Sequence, residues 1–549
     1  MTSFRTIAGR GGGWLPLLGV ADLVGTLTTL GLPVVLGRLI DAVVAGRDSR
    51  SWLAVAGLLI LLGVLSDLVS AYAEPVCIAR TTAWLRGRLV RHVFAIGPQG
   101  AHRFDTGDLV SRVSGNAVDA AQGGPAVVMV VTSVLPPLGS LVLLAYLDLW
   151  LAVAFLGGLA VVGLVLQAFA RRTAAVVTAY QQIQGRIAAR LAESLAGART
   201  IAAAGTARQE ERRILELLPA LHDEGRLIWR VLGRSGAQAA VVGPLVLVAV
   251  LGVGGLELVA GRISAGDLFA ASQYAALGVG LGGLTAMFGR LARARAAAGR
   301  AAEVLTVPPV PYGRSALPDA PGQLVFQGVT ARAGGTTLLD RVDLAVPGGA
   351  AVAVVGHSGA GKSVLVALAA RLRDPDRGRI FLDGVPLEEL SHETLRSAVG
   401  CAFERPVLVG DTVADAVGLG HDHERVLAAA RATHAHEFVS RLPQGYDTPL
   451  ADAPMSGGEA QRLGLARAWH ADRLLTLDDA TSSLDMVTEL QISHTLIDDH
   501  GGRTRLIVTH RVGTAARADL VVWLDGGRVR AVGRHEELWR SPAYRELFG

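Results

Sequence analysis

The sequence predicts a two-domain membrane protein, in which an all-α domain of six transmembrane helices precedes an α/β domain. Of the 549 residues, 51% are hydrophobic and only 18% are charged, whereas an ordinary soluble chain carries about 25% charged residues. The long apolar runs all lie before residue 290. From Leu324 onward, short apolar strands alternate with amphipathic helices, which is typical of an α/β domain.

The composition also excludes several classes of protein. A chain this apolar is not disordered, and Cys77 and Cys401 are too few and too far apart for a disulfide scaffold. The net charge of +4 is small for this length, so no nucleic-acid partner is expected. Of the 52 basic residues only Lys362 is lysine.

Six apolar segments are long enough to cross a bilayer, which takes roughly 20 mostly apolar residues. A single such run is also compatible with a buried helix of a soluble domain, but six in succession are not. The predicted spans are Trp14–Leu36, Leu53–Ile78, Gly123–Leu147, Leu149–Ala170, Ala237–Ala260 and Leu268–Phe288.

The arginines predict the orientation of these spans. Arg5 and Arg10 precede the first span, and the loop at residues 171–236 carries eleven arginines. The short loops at Gly46–Ser51 and Gly261–Asp267 are poor in charge. Cytoplasmic loops carry the basic excess, so we expect a multi-pass plasma-membrane protein with both termini and the α/β domain in the cytoplasm. The first run lacks a cleavage site of small residues, so we expect a retained helix.

Composition also predicts the domain boundaries. Residues 174–232 are rich in helix-forming residues, with a break expected near Gly205. Residues 306–323 hold five prolines and no apolar periodicity, which indicates a linker. We therefore predict a transmembrane domain at 1–305, a linker at 306–323 and a nucleotide-binding domain at 324–549.

A glycine-rich loop marks a candidate phosphate site. The apolar run Ala351–Val355 predicts a buried parallel strand, and Val364–Leu372 is helical in pattern. Between them the pattern G-x4-G-K-[ST] runs through Gly356, His357, Ser358, Gly359, Ala360, Gly361, Lys362 and Ser363. Backbone N–H groups in such a loop cradle phosphates. Lys362 would reach the β- and γ-phosphates, and the Ser363 hydroxyl would bind Mg²⁺.

Three further segments could serve the same site, and each also has a purely structural interpretation. Asp478 and Asp479 end an apolar strand, where they would bind Mg²⁺ and position water or merely cap a turn. Ser456, Gly457, Gly458 and Glu459 open a helix, as an anion site or a plain helix cap. His510 would hydrogen-bond a γ-phosphate or be structural.

In this order the segments resemble the nucleotide-binding domain of an ABC transporter. MSGGE, followed by QR and ARA residues, is similar to the family signature, and Leu477–Asp485 resembles Walker B running into the D-loop. Thr509–Arg511 resembles the switch-histidine motif. In the membrane half, Thr106–Arg112 and Glu193–Ile201 are similar to the two cytoplasmic loops of exporters. The chain therefore resembles a bacterial ABC exporter half-transporter.

This resemblance implies a six-helix transmembrane domain of the exporter type, then an α/β P-loop ATPase domain with a helical signature subdomain. It implies ATP and Mg²⁺ as ligands, with Ser363, Asp478 and Glu404 at the metal. It also implies a dimer, in which Ser456–Glu459 and Asp485 of one chain act on the partner's ATP. Coupling contacts are expected at bends near Ser111–Asp119 and Gly205–Arg213.

Four departures from the family pattern suggest slow hydrolysis. Asp479 replaces the usual glutamate, which retracts the carboxylate by about 1–1.5 Å and can cost about 10²-fold in rate. Glu404 replaces the Q-loop glutamine and adds negative charge. Ala333 replaces the adenine-stacking aromatic, with Arg332 as a candidate substitute. Thr448–Pro454 replaces the usual exporter segment.

These departures resemble the degenerate-site subunit of heterodimeric exporters. We therefore favour a heterodimer with a second, competent half-transporter over a homodimer with two slow sites. A regulatory half that barely hydrolyses ATP and an importer built on the exporter fold stay open. The catalytic candidates are Asp479, His510 and Glu404.

Acidic residues within the predicted spans are the sequence feature that bears on the cargo. Ionisable residues inside spans are costly and often functional. Asp22 and Asp67 would line an acidic cavity for a cationic or amphipathic small molecule, with Glu74 and Glu257 as further candidates. Glu74 and Glu257 also lie near span ends, where they would simply meet water or lipid headgroups. Membrane lipids are the other expected partners.

Overall fold

The computed structural model describes residues 4–279, 282–497 and 502–548. In a few helical stretches only the backbone is described, namely at 162, 165–178, 232, 235–236, 238–240, 242, 279 and 282–286. The chain forms two compact units. The first consists of Met1–Val93 and Phe104–Val307, and the second of Phe94–Arg103 and Pro308–Gly549. The predicted boundaries at 305 and 323 stay a prediction.

The chain up to residue 306 is helical. Its helices are α1 (Phe4–Ala8), α2 (Trp14–Val44), α3 (Arg50–Ala95), α4 (Gly97–Ala101), α5 (Thr106–Ala121), α6 (Gly123–Leu147), α7 (Leu149–Ala196), α8 (Ala198–Ala204), α9 (Ala207–Leu215), α10 (Leu218–Val259), α11 (Ala265–Val279) and α12 (Gly282–Thr306).

Among the described residues, three helical stretches are long and apolar enough to cross a membrane. They are Trp14–Val44, Arg50–Ala95 and Thr106–Leu147, and they contain the first three predicted spans. Two shorter apolar helical stretches, Leu149–Val161 and Gly243–Val259, lie within the fourth and fifth predicted spans. The predicted spans 149–170 and 237–260 include residues of which only the backbone is described, and the span 268–288 includes residues 280 and 281, which lie outside the described ranges.

Close backbone approach joins α2 to α11. A Cβ atom on Gly266 would lie 2.0 Å from the carbonyl oxygen of Gly37, so only glycine fits there. The Asp41 carboxylate accepts hydrogen bonds from the Ser264 hydroxyl at 2.6 Å and from the Gly266 N–H at 2.8 Å. A second contact joins the same two helices, because the buried hydroxyl of Tyr274 in α11 donates to the carbonyl of Leu30 in α2 at 2.7 Å. These bonds satisfy polar groups that an apolar environment would leave unpaired.

Two breaks between helices bear on the predicted coupling contacts. The predicted break near Gly205 is confirmed, since Gly205 has φ 67° between α8 and α9. The bend expected at Ser111–Asp119 is wrong, because that stretch lies inside the continuous helix α5. The chain bends instead between α3 and α5, where Gly97 has φ 66° and the pyrrolidine of Pro98 fixes the start of α4.

The second unit contains two sheets. Their strands are β1 (Leu324–Ala333), β2 (Thr336–Val346), β3 (Ala351–Val355), β4 (Arg377–Leu382), β5 (Val385–Pro386), β6 (Val399–Phe403), β7 (Leu474–Asp478), β8 (Thr504–Val508), β9 (Leu520–Asp525) and β10 (Arg528–Gly533). One sheet is antiparallel with the order β2-β1-β4-β5. The other has the order β10-β9-β3-β8-β7-β6, parallel except at β10.

Helices cover and extend these sheets. They are α13 (Lys362–Ala369), α14 (His392–Ala398), α15 (Val413–Gly418), α16 (His423–Ala432), α17 (His436–Val439), α18 (Gly457–Ala468), α19 (Met486–Ile497), α20 (Val512–Arg517), α21 (His535–Leu538) and α22 (Pro542–Arg545). All residues of β3 and β8 are buried, as expected for parallel strands covered on both faces. The carboxyl ends of β3, β7 and β8 therefore meet at one edge, where the candidate site lies.

Candidate nucleotide site

The phosphate loop leaves β3 and enters α13 through glycines that no other residue could replace. Gly361 has φ 98°, and a Cβ atom there would lie 2.7 Å from the Leu339 side chain. A Cβ atom on Gly356 would lie 2.2 Å from the Leu524 carbonyl oxygen. The loop and the start of α13 therefore present backbone N–H groups, an arrangement suited to phosphate.

Lys362 is buried in this loop. Its Nζ donates hydrogen bonds to the carbonyl oxygens of Gly356 at 2.8 Å and His357 at 3.1 Å. Burial lowers the pKa of the Lys362 ammonium, although Asp479 and Asp478 oppose that shift. The side chain is thus folded along the loop, where an arriving phosphate would offer it a better anionic partner.

Asp478 and Ser363 form a compact pair of oxygen ligands. The Ser363 hydroxyl donates to Asp478 Oδ1 at 2.9 Å. Burial raises the pKa of the Asp478 carboxyl, and the negative charges of Asp479 and Glu404 raise it further. A buried carboxylate beside a hydroxyl fits Mg²⁺, which prefers oxygen ligands and relieves the cost of burying the charge.

Mg²⁺ would depend on ATP for most of its ligands at this site. In the described part of the chain, no group of three or more His, Cys, Asp or Glu side chains converges to hold a metal ion. Mg²⁺ in nucleotide sites is commonly held by one or two protein oxygens together with substrate phosphates.

Asp479 follows β7 in a left-handed conformation with φ 48°. Burial raises the pKa of its carboxyl, while the nearby charges of His510 and Lys362 lower it. Its Oδ2 lies 3.6 Å from Nε2 of His510. A non-glycine residue in this region of backbone space often marks a functional position, and aspartate tolerates it better than most residues.

A cavity of about 390 Å³ opens beside these groups. It brings together three of the predicted catalytic residues with one residue of the phosphate loop. The lining residues are Ser358, Glu404, Asp479, Thr481, Ser482, Thr509, His510 and Arg511. Ser456–Glu459 and Asp485 do not line it.

The signature segment caps α18. The Ser456 hydroxyl accepts from the Glu459 N–H at 3.3 Å, and Glu459 Oε2 accepts from the Ser456 N–H at 2.8 Å. This reciprocal arrangement is a capping box. The bond from the Ser456 N–H lowers the pKa of the Glu459 carboxyl, so Glu459 is anionic at neutral pH. Asp485 similarly caps α19 by accepting from the Thr488 N–H at 3.0 Å.

Gln461 has a role that sequence reasoning missed. Its amide donates to the Glu404 carbonyl at 2.6 Å and to the Ser482 hydroxyl at 3.1 Å, and it accepts from the Ser483 N–H at 2.9 Å. The buried Gln461 thus ties the signature helix to the loops after β6 and β7. The position of Gln461 in the QR residues that follow the signature was the sequence feature that could have indicated this role.

Ala333 and the segment Thr448–Pro454 depart from the family pattern, but they do not line this cavity. Ala333 is exposed at the end of β1, and the Arg332 N–H donates to Asp376 at 2.6 Å. A role for the Arg332 guanidinium at adenine stays a prediction. Thr448 is buried and its carbonyl accepts from the Val413 N–H at 3.1 Å.

A second cavity of about 390 Å³ lies among the helices of the first unit. Asp22 and Asp67 both line it, together with Ser70, Thr132 and Ser133. The Ser70 hydroxyl donates to Asp22 Oδ1 at 2.6 Å. Asp22 and Asp67 therefore line the same cavity, as the cavity hypothesis requires.

The other two acidic candidates are paired with arginine. Glu74 lies 2.7 Å from the guanidinium of Arg290, and Glu257 lies 3.1 Å from that of Arg262. Neither residue lines the cavity. Their charges are compensated within the protein, so they are weaker candidates for contact with cargo.

Comparisons with known proteins agree with this architecture. The family model for the ABC transporter transmembrane region matches residues 15–280, and the ABC transporter model matches residues 339–482. The ABC transporter ATP-binding protein RamA of Streptomyces coelicolor is 46% identical over 96% of this chain and 84% of that protein.

Two further relatives have informative names. A fatty acid ABC transporter ATP-binding/permease protein of Mycobacterium bovis is 31% identical over 92% of this chain and 82% of its own length. An ATP-dependent lipid A-core flippase of Alkalilimnicola ehrlichii is 31% identical over 83% of this chain and 81% of its own length.

A solved structure shares the fold. A bacterial Atm1-family ABC exporter with ATP bound superimposes with a TM-score of 0.77 at 24% identity, covering 96% of each chain. A helical membrane domain and a P-loop nucleotide-binding domain in one polypeptide define one half of an ABC transporter. The chain belongs to the ABC transporter family and is a membrane-integral subunit with an ATPase domain.

Proposed function

We propose that this chain is the slowly hydrolysing, ATP-binding subunit of a heterodimeric exporter in the plasma membrane. The observation that carries the proposal is Asp479, a short carboxylate held at φ 48° beside His510. The phosphate loop, Ser363 and Asp478 keep the features that binding needs. The group that would activate water is the one that departs from the family pattern.

ATP binds along the loop between β3 and α13 in this proposal. Lys362 exchanges its bonds to Gly356 and His357 for the β- and γ-phosphates. Ser363 and Asp478 would hold Mg²⁺, which when bound would neutralise phosphate charge during transfer. Glu404 lies at the same cavity and is the third candidate at the metal.

Hydrolysis is slow because the carboxylate that orients water is set back. Aspartate is one methylene shorter than glutamate, which withdraws the carboxylate by about 1–1.5 Å. Misplacement of that order can cost about 10²-fold in rate. The Glu404 carboxylate adds repulsion next to a polyphosphate, which further disfavours the anionic transition state.

A different partner subunit completes the transport cycle. Ser456–Glu459 and Asp485 stay outside this chain's own cavity, so they are available to the partner's ATP. A partner that carries glutamate after its Walker B aspartate supplies the fast site. A homodimer with two slow sites is the second candidate.

ATP turnover by the purified full-length chain alone distinguishes these assemblies. We expect low turnover, and a rise of at least tenfold when a partner with a glutamate-bearing Walker B is added. Vigorous hydrolysis by the chain alone, abolished by Asp479→Asn, would contradict both the slow site and the heterodimer.

The cargo of this exporter is a cationic or amphipathic small molecule that enters the cavity at Asp22 and Asp67. An uncompensated carboxylate inside a membrane domain is expensive unless it meets a cation or water. The names of two relatives point to fatty acids and lipid A-core, so an amphipathic lipid is the alternative cargo.

Substitution of the two cavity carboxylates tests whether the cargo is cationic. Asp22→Asn with Asp67→Asn is expected to abolish transport of cationic substrates in vesicles while ATP binding stays intact. Glu257→Gln, outside the cavity, is the matched control. Unchanged transport of every tested cation would contradict the acidic-cavity proposal.

A further inference from the structure

We propose that the N-terminal end of α2 and the facing part of α3 form a binding site for the headgroup of an anionic phospholipid. The site consists of the guanidinium groups of Arg10, Arg80 and Arg88 around the indoles of Trp14 and Trp84. It is separate from the nucleotide and cargo cavities.

The arginines of this site share aromatic partners. The guanidinium carbon of Arg10 lies 4.9 Å from the ring centroid of Trp84, and that of Arg88 lies 5.5 Å from the same centroid. Arg80 lies 5.9 Å from the centroid of Trp14. Arg80, Trp84 and Arg88 follow at four-residue intervals and so lie on one face of α3.

These three arginines are exposed, and none makes an ion pair with a carboxylate of the described residues. Neighbouring arginines differ in this respect. Arg86 donates to the carbonyls of Val113 and Ser114, while Arg290 pairs with Glu74. Two guanidiniums held against one indole repel each other, and a phosphate between them removes that repulsion.

The N-terminal segment is held rigidly against α3. Ile7 is fully buried, and Gly11 approaches so closely that a Cβ atom there would lie 2.1 Å from Cys77 Sγ. Arg10 is therefore positioned by the backbone on both sides. A preformed arrangement of this kind reduces the entropy lost when a ligand binds.

The neighbouring aromatic residues indicate a lipid rather than a soluble anion. Trp14 and Tyr72 contact each other with centroids 5.5 Å apart, and Tyr72 is 62% exposed. Trp14 is the first residue of α2 and Tyr72 lies midway along α3, and both helices are apolar and long enough to span a membrane. Tryptophan and tyrosine concentrate at the headgroup level of bilayers, where basic residues attract anionic lipids.

Native mass spectrometry of the full-length chain, released from nanodiscs of equal phosphatidylcholine and phosphatidylglycerol, tests this site. We expect wild-type protein to retain phosphatidylglycerol preferentially. The double variant Arg10→Gln/Arg88→Gln should lose about twentyfold of that preference, because each arginine contributes a several-fold attraction. Arg47→Gln/Arg50→Gln, at the opposite end of the same two helices, is the charge-matched control and should behave as wild type.

Two further arms identify the source of the anion. Brominated phosphatidylglycerol should quench tryptophan fluorescence more than brominated phosphatidylcholine, and Trp84→Phe should remove most of the difference. Equal retention of phosphatidylglycerol by wild type and the arginine double variant overturns the proposal. So does displacement of the lipid by millimolar inorganic phosphate, which would indicate a soluble-anion site. If the double variant does not purify as folded protein, the single variant Arg80→Gln decides by the same criteria.

Discussion

Asp479 suits its backbone conformation, and the proposed slow hydrolysis rests on the same side chain. The left-handed conformation at φ 48° is tolerated better by aspartate than by longer side chains. The same choice shortens the reach of the carboxylate toward any water beside a γ-phosphate. Backbone fit and catalytic reach therefore favour different residues at this position.

The raised pKa of Asp479 makes hydrolysis sensitive to acid. A carboxyl accepts a proton from water only when it is ionised, and burial shifts its pKa upward from 3.8. The rate should therefore begin to fall at a higher pH than an ordinary aspartate would give. We expect phosphate release to decline on acidification, and to begin declining at a higher pH than an ordinary aspartate would give. A rate that does not fall on acidification while ATP binding stays constant would argue against Asp479 as the base.

Glu459 offers a second test at the level of one residue. Glu459→Gln preserves the capping box, because glutamine at that position supports the same reciprocal bonds. We expect the midpoint of thermal unfolding to stay nearly unchanged and ATP-dependent dimer cross-linking to increase, because a negative charge leaves the segment that we propose faces the partner's phosphates. Ser456→Ala is the contrast, since it removes the cap at a cost of about 1 kcal/mol. Weaker cross-linking in Glu459→Gln would contradict this assignment.

Among the elements, α5 and α12 are joined by a charge cluster. The guanidinium of Arg112, which is 7% exposed, lies 2.7 Å from both Asp108 and Glu303. Arg300 also pairs with Asp108. Because α12 ends only three residues beyond Glu303, this cluster holds the last turn of the first unit.

Removing Arg112 should loosen that junction. Arg112→Ala leaves Asp108 and Glu303 without their shared partner and opens the contact with α12. We expect the thermal midpoint of the full-length protein to fall by several degrees. Arg112→Lys should rescue only partly, because an ammonium lacks the planar fork that bridges two carboxylates. Arg199→Gln, at an exposed position in α8, is the control. An unchanged midpoint in Arg112→Ala would contradict a structural role for the cluster.

The sequence predicted the elements of the nucleotide-binding domain better than the contacts between them. Strands β3, β7 and β8 were evident as short apolar runs, and their parallel ends bring Lys362, Ser363 and Asp478 together. The ties made by Gln461, Asp41 and Arg112 join residues far apart in the chain. No periodicity or spacing encodes such contacts, so they emerged only from the folded structure. The bend between α3 and α5 was misplaced for a related reason, since Gly115 and Asn116 are poor helix formers and yet α5 continues through them.

At the scale of the whole molecule, the distribution of arginine predicts orientation. Cysteine substitution in the full-length chain, expressed in intact cells, tests it with a membrane-impermeant thiol reagent. Arg47→Cys, in the loop between α2 and α3, should react from outside intact cells. Ser541→Cys, near the C-terminus, should react only after the membrane is opened. Cys77 is buried, and the unsubstituted chain provides the background. Labelling of Ser541→Cys in intact cells would contradict a cytoplasmic ATPase domain.

An ATP site that binds nucleotide but cleaves it slowly is central to the proposed function. Single-turnover measurement with radiolabelled ATP on the purified full-length chain tests nucleotide binding and nucleotide cleavage together. Wild-type protein should hold most bound ATP uncleaved, Lys362→Ala should hold none, and Asp479→Glu should cleave bound ATP at least tenfold faster than wild type. Cleavage by wild type as fast as by Asp479→Glu would contradict the account.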